Sequence, residues 1–92
     1  MRQRVHFRFM GHVQGVGFRA TTCYVARGFE VAGWVRNADD GSVEMVVEGE
    51  PEEVEAFLIG LFQELAFRID DLVRTDLPTE GTEPLEGFRT RF

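Results

Sequence analysis

Three glycines fall within seven residues in the segment Gly11-His12-Val13-Gln14-Gly15-Val16-Gly17-Phe18-Arg19. Glycine lets the backbone take positive φ and approach a ligand closely, so that successive N–H groups converge as a nest. Where such a loop runs into a helix, the free N–H groups of the first turn add the positive end of the helix dipole. The pattern describes a cradle for phosphate, although a glycine-rich turn can also be no more than a tight connection. Arg19 separates the two readings. A guanidinium in the first helical turn sits at the positive end of the dipole, at a cost of about 0.3–1 kcal/mol unless an anion neutralises both. Its planar fork suits two phosphoryl oxygens and stays charged throughout the working pH range.

A second segment, Gly33-Trp34-Val35-Arg36-Asn37-Ala38-Asp39-Asp40-Gly41-Ser42-Val43-Glu44, reads as a strand running into a hairpin. Asn37 falls at the strand's end, where an amide taken alone serves the local turn. Asp39 and Asp40 are adjacent in the turn and so point apart into water, which speaks against a catalytic dyad. Arg36 alternates with Val35 and reads as a charge on the sheet surface or rim. His12 reads as a solvent-facing loop residue, and Cys23, with no histidine paired to it, as a small core or surface residue.

What is missing narrows the chemistry. All ten positive residues are Arg and none is Lys, which excludes Schiff-base catalysis, pyridoxal phosphate attachment and the lysine of a Walker-type nucleotide loop. With one Ser (Ser42) and one Cys, a serine triad has little to work with, and neither a disulfide nor a cysteine-based zinc site can form within the chain. His6 and His12 would lie roughly 20 Å apart along a strand, too far to share a metal. A domain without metal or cofactor is expected.

The elements that must position these residues follow from periodicity. Val5, Phe7 and Phe9 alternate with His6, Arg8 and Met10, a half-buried strand that Gly11 ends. Phe18, Thr22, Val25, Ala26 and Phe29 share one helix face, with Gly28 near the expected C-cap. Residues 30–37 and 42–49 form two strands paired antiparallel through the Asp40-Gly41 turn, with Val43, Met45 and Val47 on one face. Pro51 at the first helical position, with Glu52 and Glu53 in the first turn, opens a second helix carrying Val54, Phe57, Leu58, Leu61, Phe62 and Leu65 at i, i+3, i+4, i+7 spacing. Residues 67–77 read as a strand with a bulge, 78–84 as a loop, and Phe88, Thr90 and Phe92 as a terminal strand. The order β-α-β-β-α-β plus one strand predicts an α+β, ferredoxin-like split β-α-β sandwich, an antiparallel sheet with two helices on one face. That fold hosts RNA-binding modules, metabolite sensors and enzymes alike, so function rests on the site.

Ninety-two residues, 43% hydrophobic with nine Phe, suffice for one core and one domain spanning 1–92. No apolar run reaches the roughly 18 residues of a membrane span, and the charged start lacks a signal peptide's apolar stretch. A soluble, cytoplasmic protein is expected. The net charge of −6 opposes a nucleic-acid partner. Yet residues 1–37 hold six Arg against one Glu, and residues 38–92 hold four Arg against fifteen acids. Either an anion is drawn to the first part, or the two parts attract each other in the fold.

Together, Gly11-x-Val13-Gln14-Gly15-Val16-x-Phe18-Arg19 and Gly33-Trp34-Val35-Arg36-Asn37-x-x-x-Gly41-x-Val43 resemble the paired signature of the acylphosphatases, small enzymes that hydrolyse carboxyl-phosphate mixed anhydrides. The resemblance spans nearly the whole chain, and the family's fold is the one read above. It implies that Arg19 binds the phosphoryl group, that the backbone of Gln14, Gly15, Val16, Gly17, Phe18 and Arg19 cradles it, and that Asn37 positions the attacking water. It implies an acyl phosphate as substrate, inorganic phosphate as product and inhibitor, and no metal. A monomer is expected, with no nucleic acid and no membrane as partner. Where members commonly carry a Gly-Pro turn after the second helix, this chain has Gln63-Glu64-Leu65-Ala66-Phe67. The rival readings are a non-catalytic phosphate-binding module, which has no need of Asn37, and a single-stranded RNA binder using Phe7, Phe9 and Trp34, which the negative charge opposes.

Overall fold

Val5, Phe7 and Phe9 are almost completely buried along one side of β1 (Gln3–Gly11), while His6 and Arg8 between them remain partly exposed on the other. A strand with one face on a core divides its residues in this way. The computed structural model describes all residues, 1–92. After β1 come α1 (Phe18–Ala26), β2 (Val31–Asn37), β3 (Val43–Gly49), α2 (Pro51–Leu65), a 3₁₀ turn (Ala66–Arg68), β4 (Ile69–Leu77) and β5 (Phe88–Arg91). No helix is long and apolar enough to cross a membrane.

The five strands form one sheet in the order β4-β1-β3-β2-β5. One buried cluster joins Phe7, Phe9, Val35, Met45 and Val47 of the strands to Phe18 and Ala26 of α1 and to Val54, Phe57, Leu58 and Leu61 of α2. Both helices therefore cover the same face, and the fold is the ferredoxin-like α+β sandwich. Aromatic pairs run through this core, with ring centroids 5.4 Å apart for Phe7 and Phe9 and 5.3 Å for Phe9 and Phe18. The open face is laced by ion pairs instead. Glu48, 3% exposed, lies between Arg2 and Arg4, and Glu44 lies between His6, Arg8 and Arg36.

Three expectations change. The sheet is mixed, not wholly antiparallel, because β5 runs parallel to β2, with Gly33 opposite Phe88 and Arg36 opposite Arg91. To reach that edge from β4, the segment 78–87 crosses the open face. There Arg2 donates to the Thr79 carbonyl, Arg4 to the Glu83 carbonyl, and the Leu85 N–H to Glu48. The fourth strand begins at Ile69 and not at 67, since the 3₁₀ turn leaves Phe67 largely exposed. Its bulge is real: Met10 faces Asp71 and Gly11 faces Ile69, leaving Asp70 as the extra residue. Finally, α1 ends at Ala26 with Arg27 as the capping residue in helical geometry, and Gly28 adopts no positive φ.

Candidate active site

The loop between β1 and α1 is held at three points. The His12 N–H donates to the Arg68 carbonyl at 3.0 Å, Val13 is buried in the core, and the side-chain amide of Gln14 donates to the carbonyls of Ala38 and Ser42 at 2.8 Å each. Between these anchors and the helix, Gly15 and Gly17 take φ of +76° and +80°. A Cβ at either would meet nothing within 4 Å, so the backbone angle and not space calls for glycine. Among the turn and loop hydrogen bonds, none is donated by the N–H groups of residues 15–19. These donors belong to a nest and a first helical turn, the two backbone features suited to an anion.

Phe18 fixes the start of α1. Its ring is buried against Phe9, and its carbonyl accepts the Thr22 hydroxyl at 2.8 Å. Arg19 follows, partly exposed, and its charge has no acid partner. The contrast with the other arginines of the basic first part is informative. Arg2 and Arg4 pair with Glu48, Arg8 with Asp40 and Glu44, and Arg36 with Glu44. The mutual attraction of the two parts of the sequence thus accounts for these four. Arg19 and Arg27 remain outside it, and of the two only Arg19 shares a pocket with Gly15, Gly17 and Asn37, Arg27 lining a separate one with Cys23 and Phe88. The guanidinium carbon of Arg19 lies 5.0 Å from the centre of the Phe92 ring.

Asn37 is the last residue of β2, opposite Val43. The hairpin beyond it is secured without its amide: Ala38 and Ser42 are joined by a backbone bond of 2.9 Å, and the Asp40 carboxylate accepts the N–H and hydroxyl of Ser42 at 3.0 and 2.6 Å. Those bonds hold the Asp40 pKa below its ordinary value, with the Arg8 charge adding to them. Asp40 therefore serves the turn, and the Asn37 amide is left facing the pocket.

That pocket, of about 320 Å³, is of a size suited to a small ligand. Gly15, Gly17, Phe18, Arg19 and Asn37 line it together, although 22 positions of sequence separate the first from the last. Gln14 and Val16 are not in the lining. The Gln14 side chain is spent on the clamp to Ala38 and Ser42, and Val16 packs against the core. The sequence reading missed Thr90 and Phe92, which enter the lining from β5 and the residue after it. Their alternation marks a strand, but nothing local in the sequence says that this strand lies beside β2. No His, Asp or Glu lines the pocket, and no group of three or more such side chains, Cys included, is arranged to hold a metal ion. The arrangement offers N–H donors, one free guanidinium and one amide, a set that can bind a phosphoryl group and orient a water beside it.

Comparison with known proteins points to one family. The family model described as Acylphosphatase matches residues 5–90. An acylphosphatase of Synechococcus sp. (strain JA-2-3B'a(2-13)) is 58% identical, over 97% of this chain and 89% of the relative. One from Thermococcus kodakarensis is 48% identical, over 96% of this chain and 94% of the relative. The crystal structure of acylphosphatase from Bacillus subtilis superposes with a TM-score of 0.85 at 30% identity, covering the whole of both chains.

Proposed function

The chain belongs to the acylphosphatase family, and from that membership we propose that it cleaves the carboxyl-phosphate bond of acyl phosphates by in-line attack of a water held by Asn37, without a metal ion. The phosphoryl group lies against the backbone N–H groups of residues 15–19, which the Gln14 clamp holds in place, with the Arg19 guanidinium on its equatorial oxygens. The water oxygen forms a bond to phosphorus as the bond from phosphorus to the acyl oxygen breaks. The electron pair leaves with the carboxylate, and the water's proton passes to a phosphoryl oxygen. A carboxylate whose conjugate acid has a pKa of roughly 4–5 departs without protonation. Charge stabilisation and positioning are then the whole task, and fixed donors can perform it. A phosphate monoester, with its alkoxide leaving group, would need an acid that the lining does not contain.

The single observation that carries this reading is the convergence of Arg19, the one charged side chain in the lining, and the unspent Asn37 amide on one pocket. Every assigned role falls on one chain, so a monomer suffices. The test is phosphate release from benzoyl phosphate by the purified protein, with and without a chelator, beside an alkyl phosphate monoester. Undiminished release in chelator, slow monoester turnover and competitive inhibition by inorganic phosphate are expected. Turnover abolished by chelator and restored by magnesium or zinc would overturn the mechanism.

A further inference from the structure

The lining joins one cation and two uncharged polar side chains, Arg19, Asn37 and Thr90, to the backbone of Gly15, Gly17 and Phe18. None of its residues is of a type that titrates between about pH 5 and 8. The titratable residues of the two loops around it, His12, Asp39 and Asp40, stand outside the lining, and Asp40 is spent on Ser42. Cys23 reaches the lining through the Thr90 hydroxyl, 3.5 Å from its sulfur. The site therefore has no proton to give a departing group, and what it can cleave is decided by how well that group departs unaided.

A carboxylate meets that condition, and so does a neutral imidazole. When phosphorus is bonded to one imidazole nitrogen and the other carries a proton from solvent, the ring leaves as a neutral base whose conjugate acid has a pKa of roughly 6.5. That is about two units above a carboxylic acid, and far below the alcohol of a phosphate monoester. The phosphoryl oxygens match those of an acyl phosphate, so the N–H groups of residues 15–19 and the Arg19 guanidinium meet the same charge. Gly15, Gly17 and Ala20, all exposed, add little bulk against a five-membered ring. Arg19 repels the protonated ring in the ground state, and the repulsion is relieved as the ring leaves neutral, so it opposes binding and not the chemical step.

We propose that the pocket also hydrolyses N-phosphorylated imidazoles, the linkage of phosphohistidine, to imidazole and inorganic phosphate. This activity rests on the hydrolysis proposed at Arg19 and Asn37 and extends it to a second linkage. The oxygen of the water at Asn37 bonds to phosphorus as the phosphorus–nitrogen bond breaks. The electron pair stays on that nitrogen, the proton on the other nitrogen remains there, and the water's proton passes to a phosphoryl oxygen.

The test follows phosphate release from N-phosphoimidazole, acetyl phosphate and an alkyl phosphate monoester, with the uncatalysed rates subtracted. The purified protein should cleave phosphoimidazole more slowly than acetyl phosphate but well above the monoester, and Asn37→Ala should lower kcat on both cleaved compounds by a similar factor. Above the ring's pKa, kcat/KM for phosphoimidazole should fall roughly tenfold for each pH unit, as the protonated fraction does. For acetyl phosphate it should stay within about twofold over the same range, since no lining group titrates there. Hydrolysis of acetyl phosphate without any of phosphoimidazole overturns the second activity and leaves the first standing. Phosphoimidazole cleavage that survives Asn37→Ala, or that ignores pH, overturns it as well. If neither compound is hydrolysed, the hydrolysis at Arg19 and Asn37 itself fails, and the second activity with it.

Discussion

The side-chain amide of Gln14 donates to the carbonyl of Ala38 at 2.8 Å, and the same nitrogen reaches the Ser42 carbonyl at 2.8 Å. This bond joins the loop that leads to Arg19 to the residue that follows Asn37. The two residues assigned to phosphate binding and water positioning are therefore set in one frame by a third that lies outside the pocket lining.

Gln14→Leu should remove both bonds, each worth about 0.5–1.5 kcal/mol, although each carbonyl keeps a backbone donor, Gly41 for Ala38 and Ala38 for Ser42. Gln14→Glu should be worse, since it sets a carboxylate against carbonyl oxygens. In the fraction that stays folded, kcat should fall because Arg19 and Asn37 no longer share a frame. Urea unfolding with kinetics on the same samples checks this, and a folded Gln14→Leu protein with unaltered kcat would limit the clamp to a structural part.

Arg19→Ala should weaken competitive inhibition by inorganic phosphate by roughly 10–150-fold, the worth of a charge-assisted hydrogen bond. Arg19→Lys should recover little, because a point charge lacks the planar fork. Stability should hold or rise by up to about 1 kcal/mol, since Arg19 has no acid partner and faces the positive end of α1. A clear loss of stability with phosphate inhibition intact would make Arg19 a structural arginine like Arg4 and Arg36.

Glu44 carries a prediction about acid. Its carboxyl, 12% exposed, is held below its ordinary pKa of 4.5 chiefly by the hydrogen bond with His6, and further by the bond from Arg36 and the charges of Arg36 and Arg8, against partial burial that pushes the other way. A group whose pKa is depressed by folding stabilises the folded state above its unfolded value and loses that contribution as pH falls through its folded one. Stability should therefore be at its full Glu44 contribution near neutrality and decline below about pH 4.5. In Glu44→Gln the protein should be less stable at pH 7, and the difference from the unaltered protein should shrink as pH falls toward 3. Urea midpoints across that range measure it, and a difference independent of pH would contradict the assignment.

Much of the site was legible because it is local. Glycine at 15 and 17 followed by Arg19 describes a cradle and its cation without reference to the rest of the chain, and the alternation of Val5, Phe7 and Phe9 and the helical spacing from Val54 to Leu65 report burial directly. What escaped depends on pairing at long range. Alternation at Phe88, Thr90 and Phe92 marks a strand but is indifferent to its neighbour. Only the parallel register with β2 brings Thr90 and Phe92 to a pocket whose other walls lie more than 50 residues earlier. Phe67 was misplaced for a related reason: an apolar residue beside a strand pattern looks like part of it until the 3₁₀ turn shows where pairing with β1 begins. Asn37 and Asp40 could each have served the turn by residue type, and the hydrogen bonds of Ser42 assign that task to Asp40.

The most direct test of the account is Asn37→Ala, assayed for both kcat on benzoyl phosphate and inhibition by inorganic phosphate. An amide that orients water contributes to the transition state and hardly to holding phosphate, so kcat should fall by roughly 10²–10³ while the inhibition constant changes little. Because the Asn37 side chain makes no hydrogen bond within the chain and the hairpin is closed by Asp40, the variant should fold with near-normal stability. A variant that turns over normally, or one in which phosphate inhibition is lost together with kcat, would contradict the separation of binding at Arg19 from water positioning at Asn37.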